Sequence, residues 1–276
     1  MTRTSKQKRK KRPRKLKPVT HISVQNRMKS KALISKLHVA NKEIEKLQEN
    51  SNLKTAEKQK KLALLQTQVK ELGGLDTYQL VSKLGEYHHG NTNTAKWVVK
   101  KIQEYKLKPS EGKRLDLLDV GALDLNYEKH KWINCTSIDL NPQNHKIIKA
   151  DFLQYQDGSS EMYDVVVLSL VINFVGDPVK RGEMLKKAAS LLKPQGCLFV
   201  VLPLACLENS RYMSAGLFKE MLSSLGFDTI TTHDSRKLAF IMAQKQNKIS
   251  QKTFSKRLVR KGQKRNNFSV VLKWRK

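Results

Sequence analysis

A glycine and two aspartates stand at spacings that suit a nucleotide-binding site. The segment Asp119-Val-Gly121 ends an apolar run that begins at Leu115, as in a buried strand that turns sharply at its carboxyl end. A second short apolar run ends at Asp139. In an α/β unit of this layout, the glycine lets the ligand approach the backbone and the carboxylate accepts hydrogen bonds from ribose hydroxyls. The two segments therefore predict a site for a nucleotide-like cofactor.

The elements that must position these residues alternate between strands and helices. Short apolar runs predict strands at 115–120, 136–140, 165–170 and 197–202, with closing strands at 238–243 and 268–274. Amphipathic stretches predict helices at 93–105, 181–192 and 212–225. The alternation predicts an α/β fold with a Rossmann-like parallel sheet and helices on both faces.

The chain divides into three parts by composition. Residues 1–25 carry Pro13 and Pro18 among charges and are expected to form a disordered basic tail. Residues 26–110 are expected to form a helical amino-terminal region. Within it, 26–72 predicts two helices or one interrupted helix, stopped at Gly73-Gly74, with a coiled coil as the alternative, and 75–85 and 93–105 predict two further helices. The sheet domain occupies 111–276 and includes a basic insertion near 244–267.

Positive charge is concentrated at the two ends of the chain. The formal net charge is +30, but no acidic residue precedes Glu43 or follows Asp234. These ends hold 15 and 14 of the 54 Lys and Arg residues, which leaves 25 basic residues against all 24 acidic ones in the middle. Such ends favour a polyanionic partner, because each bound phosphate releases condensed counterions. The alternative for residues 6–17 is a solubilising tail or a nuclear or nucleolar address.

Several other classes of site are disfavoured by the same sequence. No apolar stretch approaches a transmembrane length, and the basic amino terminus lacks the apolar core of a signal peptide. Cys135, Cys197 and Cys206 have no metal-like spacing and suggest a reduced compartment. The pair His88-His89 has no third ligand at a useful spacing, so we expect neither a metal nor a membrane association.

The motifs and their order resemble those of class I S-adenosylmethionine-dependent methyltransferases. Within that class, the chain looks like the fungal 25S ribosomal RNA adenine-N1 methyltransferase family through Gly73-Gly-Leu-Asp-Thr-Tyr-Gln79, Leu118-Asp-Val-Gly121 and Ser169-Leu-Val-Ile-Asn-Phe174. The resemblance extends over roughly residues 70 to 245, and its further segments are Asp139, Ala150-Asp-Phe152, Tyr163-Asp-Val-Val-Val-Leu-Ser169, Leu191-Leu-Lys-Pro-Gln-Gly196 and Leu225-Gly-Phe227. It implies a class I methyltransferase fold with S-adenosyl-L-methionine as the cofactor.

The resemblance also assigns cofactor-binding roles. Asp139 would bind both ribose hydroxyls, and Asp151 would accept from the adenine amino group beside the backbone or ring edge of Phe152. The remaining cofactor-binding positions are Asp119, Gly121 and Ser169. The sequence departs from the class pattern at Ala122 and Leu123, where further glycines are usual. For each aspartate taken singly, the alternative is a turn or helix-cap residue.

A nicotinamide dehydrogenase is the alternative for the first strand and turn. It shares the glycine and the acidic residue, but the full G-x-G-x-x-G is absent after Leu118. The turn Lys193-Pro-Gln-Gly196 and the later Gly226-Phe227 are methyltransferase traits by resemblance, so the methyl donor is favoured.

The acceptor is expected at the carboxyl ends of the strands, where ligands of open α/β sheets bind. Asn173 would hydrogen-bond an adenine edge and Phe174 would stack on the ring, and we assign both as catalytic residues; Pro203 is a weaker candidate. The alternative is that Phe174 belongs to the core and Asn173 caps the next helix. Because N1 is hidden in a base pair, the target adenine must be unpaired or flipped out.

The basic insertion is interpreted as an RNA-binding surface, with Phe254 and Phe268 offering stacking positions; a solvated loop with core aromatics is the alternative. The resemblance implies methylation of adenine N1 in large-subunit ribosomal RNA, free or in a pre-ribosome. We expect a monomer, and the basic amino terminus predicts a location in the nucleus and nucleolus. Two rival functions remain: a non-catalytic sensor of the cofactor, and an RNA-binding ribosome assembly factor with a degenerate pocket.

Overall fold

The computed structural model describes residues 55–71, 94–107, 112–156, 162–246 and 249–274, together with residues 36, 39, 40, 43, 44 and 47. The expected tail at 1–25, most of the helical region at 26–110, and His88-His89 therefore lie outside the described residues. The division into three domains stays a prediction.

Seven strands form one mixed sheet. They are β1 (Leu115–Val120), β2 (Ile133–Asp139), β3 (Ile148–Lys149), β4 (Tyr163–Ser169), β5 (Leu192–Pro203), β6 (Phe227–Asp234) and β7 (Leu238–Lys245). Their order across the sheet is β3-β2-β1-β4-β5-β7-β6. The first five strands pair in parallel, and β7 runs antiparallel between β5 and β6. The predicted Rossmann-like sheet is confirmed, with an antiparallel end.

Five described helices accompany the sheet: α1 (Thr55–Glu71), α2 (Thr94–Glu104), α3 (Pro178–Leu191), α4 (Leu204–Glu208) and α5 (Ala215–Ser224). Local signals set where two of them begin. The carboxylate of Asp177 accepts from the backbone N–H groups of Val179 and Lys180 at the start of α3, and the hydroxyl of Ser214 accepts from Leu217 at the start of α5. None of the described helices is long and apolar enough to cross a membrane.

The core lies on both faces of the sheet. Leu117 and Val165 point to the face covered by α2, and their neighbours Leu118 and Val166 point to the face covered by α3 and α5. Because successive side chains of a strand face opposite sides, a strand buried on both faces must be apolar at nearly every position. This explains why the run Leu115–Val120 is readable from the sequence.

The prediction for the last strands is wrong in part. The segment at 268–274 is not a strand of the sheet; the outer position is taken by β6, which sequence reasoning missed. β6 is an edge strand rich in Thr and exposed along much of its length, so it lacks the apolar run of an inner strand. Val270, Val271 and Leu272 are instead buried against α3, where a side chain on Gly182 would collide with the Val271 carbonyl.

Candidate functional site

The carboxyl ends of β1, β2, β3 and β4 meet at one edge of the sheet, here called the rim. Val120 pairs with Ile138 on one side and with Leu168 on the other, and Asp139 pairs with Lys149. These registers place the residues that follow the strands side by side. The predicted residues Gly121, Asp139, Asp151 and Ser169 are therefore brought together at the rim, where ligands of such sheets bind.

The turn after β1 depends on Gly121. Its φ of +74° lies in the left-handed region, and its N–H donates to the Ile138 carbonyl at 2.8 Å. A Cβ at this position would lie 2.6 Å from Cγ2 of Val171. The glycine is thus required by both its backbone angle and the close approach of the neighbouring loop. Ala122 is buried and donates to the same Ile138 carbonyl at 3.1 Å, so the turn closes without a second glycine.

Asp119 lies buried behind this turn, with only 7% of its surface exposed. Burial raises the pKa of the Cys135 thiol to about 12, and the negative charge of Asp119 contributes to the rise. Burial, and then the same charge, also raises the pKa of Tyr127 well above its ordinary value. Asp119 is therefore a buried carboxylate whose charge acts on Tyr127, in the core cluster under α2, and on Cys135, which packs against that cluster.

Asp139 is held rigidly at the end of β2. One carboxylate oxygen, Oδ1, accepts from the N–H of Asn141 at 2.8 Å, and the Asp139 carbonyl accepts from the N–H of Ala150 at 2.9 Å. The side chain is half-buried beside the Gly121 turn. A carboxylate fixed in this way is pre-organised to accept hydrogen bonds from vicinal hydroxyls, since little entropy is lost on binding.

Asp151 and Phe152 follow β3 at the rim, and their side chains point to different surroundings. Oδ1 of Asp151 accepts from the N–H of Leu153 at 2.9 Å, which is the turn-residue alternative. The ring of Phe152 is buried in the core at 4% exposure, so its ring edge faces the core and only its backbone lies at the rim. Lys187 donates to the Leu153 carbonyl at 3.1 Å, and its pKa is lowered by burial although the nearby charge of Asp151 opposes this.

Ser169 joins the rim to α2. Its hydroxyl donates to the hydroxyl of Thr94 at 2.9 Å, which ties the end of β4 to the first residue of that helix. The next residue, Leu170, has a φ of +56° and donates to the Val201 carbonyl at 2.9 Å. A left-handed leucine costs about 1–2 kcal/mol and is maintained only where the surroundings require it. It redirects the chain so that residues 171–175 cross the rim.

The amide oxygen of Asn173 is buried and has no hydrogen-bond partner within the described part of the chain. The alternative role as a helix cap is wrong, because Asp177 caps α3. A buried acceptor without a partner costs about 1–3 kcal/mol, which a bound donor would recover. Asn173 therefore offers a hydrogen-bond acceptor at the rim that an N–H or O–H group of a ligand could satisfy.

Of the three aromatic candidates, one lies on the rim and two lie in the core. Phe174 is half-buried on the rim and is not a member of the core cluster, so the core alternative is not supported for it. Phe254 and Phe268 are each 6% exposed and belong to the core, so the prediction that they form a stacking surface is wrong. Pro203 ends β5 and precedes α4, at the same edge of the sheet as Ser169.

Sequence reasoning missed Arg181, which is buried in α3. Its guanidinium donates to the carbonyls of Val175 at 2.7 Å and Ser269 at 2.6 Å, and lies 4.6 Å from the ring centre of Phe268. An arginine in an amphipathic helix normally signals a solvent-facing position, so no sequence signal marked it. Arg181 therefore connects the segment at residues 171–175, which crosses the rim, with the segment around Ser269.

The polar groups of the rim suit an organic ligand. Within the described ranges, no three His, Cys, Asp or Glu side chains are grouped so as to hold an ion. The site instead combines a backbone turn at Gly121, a fixed carboxylate at Asp139 and an unpartnered amide oxygen at Asn173. Such a set fits a cofactor with hydroxyls and an acceptor with polar hydrogen atoms.

Comparison with protein families gives one match over most of the chain. A family model described as 25S rRNA (adenine(2142)-N(1))-methyltransferase, Bmt2, matches residues 63–270. This range spans all of the strands and every candidate residue at the rim.

Comparison with individual proteins gives similar sequences of two kinds. The chain is 33% identical over 219 residues to the Saccharomyces cerevisiae 25S rRNA (adenine(2142)-N(1))-methyltransferase, covering 76% of this chain and 64% of that protein. It is 28% identical to the Schizosaccharomyces pombe 25S rRNA adenine-N(1) methyltransferase, covering 71% of this chain and 76% of that protein. It is also 25% identical over 175 residues to the Xenopus tropicalis S-adenosylmethionine sensor upstream of mTORC1, covering 55% of this chain and 44% of that protein.

Proposed function

The chain belongs to the 25S rRNA (adenine-N(1))-methyltransferase family, and we propose on this basis that it methylates N1 of an adenine in large-subunit ribosomal RNA. The methyl donor is S-adenosyl-L-methionine. The aligned region spans just under two thirds of the budding-yeast relative, at 64% of its length. The observation that carries the assignment to this site is the buried, unpartnered amide oxygen of Asn173, two residues after the valine that contacts the Gly121 turn.

The residues of the rim fit the cofactor. Gly121, whose left-handed angle and close contact with Val171 fix the turn after β1, places the backbone of that turn at the rim, next to the cofactor. Asp139, held by Asn141 through Oδ1, accepts from the ribose hydroxyls. Asp151 contributes its second carboxylate oxygen, and the Phe152 backbone contributes polar groups to the adenine edge.

When bound, the cofactor supplies a methyl group on a sulfonium; the N1 lone pair forms the new C–N bond while the C–S bond breaks and its electron pair stays on sulfur. Asn173 then acts on the acceptor: its Oδ1 accepts from the exocyclic amino group, which fixes N1 toward the donor side of the rim. Methylation leaves the base cationic, so this hydrogen bond strengthens toward the transition state. Phe174 stacks on the ring; such stacking contributes about 1–3 kcal/mol.

N1 lies on the Watson–Crick edge, so the target adenine must be unpaired or flipped to enter the rim. No side chain is assigned as a general base, because the attacking nitrogen carries a free lone pair. We also propose that the protein works as a monomer and that its basic amino terminus directs it to the nucleus and nucleolus, where ribosomal RNA is available.

The test uses ribosomal RNA from cells in which the gene has been deleted. The purified full chain and S-adenosyl-L-methionine should restore N1-methyladenosine, measured by mass spectrometry of the nucleosides. Wild-type protein that binds the cofactor but adds no methyl group would overturn the proposal. That outcome would favour the cofactor-sensor alternative, which the similarity to the Xenopus sensor keeps in view. A chain that binds RNA but no cofactor would favour the assembly-factor alternative.

A further inference from the structure

The basic segment at residues 249–274, here called the strap, is packed against the helices and does not project as a loop. Phe254, Phe268 and Leu272 are buried in the core, and the backbone groups of Phe254 and Leu272 pair with each other. Arg260 donates from one guanidinium nitrogen to the carbonyls of Leu207, Ser210 and Met213, at 2.9, 3.3 and 3.0 Å. The strap therefore has a defined position on the molecule.

That position is beside the rim. β5 runs parallel to β4, with Val201 paired to Ser169, so α4 leaves the sheet at the same edge as residues 171–175, here called the acceptor loop. The strap packs against α4 at this edge. The side chain of Asn266 donates to the Ala205 carbonyl at 2.6 Å, and the Asn266 carbonyl accepts from the backbone N–H of Arg211 at 3.0 Å. The middle of the strap thus lies at the edge where the target base must enter.

The strap is also connected to the acceptor loop through Arg181. Its guanidinium bridges the Val175 carbonyl of that loop and the Ser269 carbonyl of the strap. A buried guanidinium that bridges two backbone segments holds them in one geometry, because separating them would leave buried charge and carbonyls unpaired. A ligand bound to the strap would accordingly have a fixed position relative to Asn173 and Phe174.

The strap carries a high positive charge that no described ion pair neutralises. Residues 249–274 contain eight Lys and Arg residues and no Asp or Glu. Throughout the described chain, no carboxylate forms an ion pair with any of them. Some are used internally, such as Arg260 on backbone carbonyls and Lys256 at 4.4 Å from the ring of Tyr212. Exposed cationic groups with no described interaction remain on Arg257, Lys261 and Lys264.

We propose that the strap binds the phosphate backbone of the RNA that flanks the target adenine, through Arg257, Lys261 and Lys264. The inference rests on the proposed function, since it takes the substrate to be RNA. An exposed cation cluster without acids repels itself unless it meets a polyanion. Single-stranded RNA presents one phosphate per nucleotide, and a base flipped into the rim must bring its neighbouring phosphates to this edge. An acidic protein segment is less favoured as the ligand of the strap, because nothing in the reaction would bring it next to the target base.

The experiment compares two double variants of the full chain with equal loss of charge. Lys261→Ala with Lys264→Ala removes two strap cations. Lys113→Ala with Lys131→Ala removes two exposed lysines that precede β1 and β2, at the opposite edge of the sheet. Binding of a fluorescent, unstructured oligoribonucleotide is measured without cofactor over a range of KCl concentrations, and urea unfolding confirms that both variants fold.

The strap variant should bind more weakly, and its slope of log affinity against log salt should be shallower than wild type by roughly 1.4, at about 0.7 for each phosphate that is no longer neutralised. Its KM for RNA should rise without a change in kcat, and Arg257→Ala should add to the effect.

Equal slopes for the two double variants would overturn the proposal. So would an acidic peptide that binds more weakly to the strap variant while RNA binding is unchanged. A strap variant that binds RNA more weakly while wild type methylates nothing would overturn the proposed function instead and leave this docking surface standing.

Discussion

Gly121 and Val171 approach so closely that a Cβ on the glycine would lie 2.6 Å from Cγ2 of the valine. The turn after β1 and the loop at residues 171–175 are therefore in direct contact. The valine belongs to the segment that carries Asn173 and Phe174, so the position of the turn sets the position of these two residues. The contact explains why position 121 is a glycine, whereas Ala122 fits the turn because its N–H donates to the Ile138 carbonyl without a second glycine.

The first prediction separates this contact from backbone strain. Gly121→Ala should lower the free energy of unfolding by about 1–2 kcal/mol for the left-handed angle and by a further 1–3 kcal/mol for the clash. Gly112→Ala is the matched control, since Gly112 has a φ of +85° and nothing within 4 Å of the added Cβ. Urea unfolding gives the stability, and calorimetry with S-adenosylhomocysteine gives the affinity, which should fall only for Gly121→Ala.

Adding Val171→Ala to Gly121→Ala should restore part of the lost stability and affinity, because the clashing methyl group is removed. Equal losses for the Gly112 and Gly121 variants would show that the close approach has no role.

The second prediction concerns the fixed carboxylate. Asp139→Asn keeps an oxygen that accepts from Asn141 but removes the charge, so the fold should persist while the Kd for the cofactor rises roughly 10- to 100-fold. Asp228→Asn, on an exposed position of the edge strand β6, is the control and should bind like wild type. Calorimetric titration measures both. A wild-type affinity for Asp139→Asn would remove Asp139 from the cofactor site.

The third prediction uses the unpartnered amide. Asn173→Ala removes a buried acceptor that lacks a partner, so the stability should not fall, whereas kcat should fall about 10²-fold. Affinity for the cofactor should be unchanged, because the acceptor side alone is altered. Asn173→Asp keeps an acceptor oxygen in the same place and should retain more activity than the alanine variant. A loss of stability with unchanged kcat would show that Asn173 is only structural.

The fourth prediction concerns pH and the edge of the sheet opposite the rim. Lys193 lies 3.0 Å from Oδ2 of Asp116 and 3.0 Å from Oδ1 of Asp164. Burial opposes ionisation of Asp116, but hydrogen bonds from Asn134 and Lys193, and then the charges of Lys193 and Arg114, outweigh it and lower the pKa of Asp116. Burial likewise opposes the charge of Lys193, whose pKa is nevertheless raised by both carboxylates.

A lowered carboxyl pKa contributes stability that is present above its usual value of 3.8 and is lost as the pH falls through the folded-state value. A raised lysine pKa contributes stability that is present below its usual value of 10.5 and is lost as the pH rises beyond it. Lys193→Met should therefore cost about 1 kcal/mol at neutral pH, since these groups are partly exposed, and should approach wild type in acid. Urea unfolding across this range tests it, with the exposed Lys146→Met as control. A deficit that is independent of pH would contradict the ion-pair account.

Much of the sheet was predictable because its inner strands are buried on both faces. The run Leu115–Val120 matches β1 at both ends, and the helices before β1 and after β4 follow from amphipathic spacing. The acidic strand ends and Gly121 were predictable too, because a parallel sheet brings the residues after its strands to one edge. The edge strand β6 was not, since its exposed Thr residues lack an apolar run.

The sequence by itself determined the inner strands, the order of the motifs and the residue types at the rim, because these depend on local spacing and on burial of alternate side chains. Only the tertiary structure decided which of those residues have a free functional group. The left-handed Leu170, the buried Arg181 bridge and the amide of Asn173 all arise from contacts between segments far apart in the chain. The same is true of the strap, whose aromatics enter the core and whose cations stay exposed because α3, α4 and the residues before α5 bind its other groups.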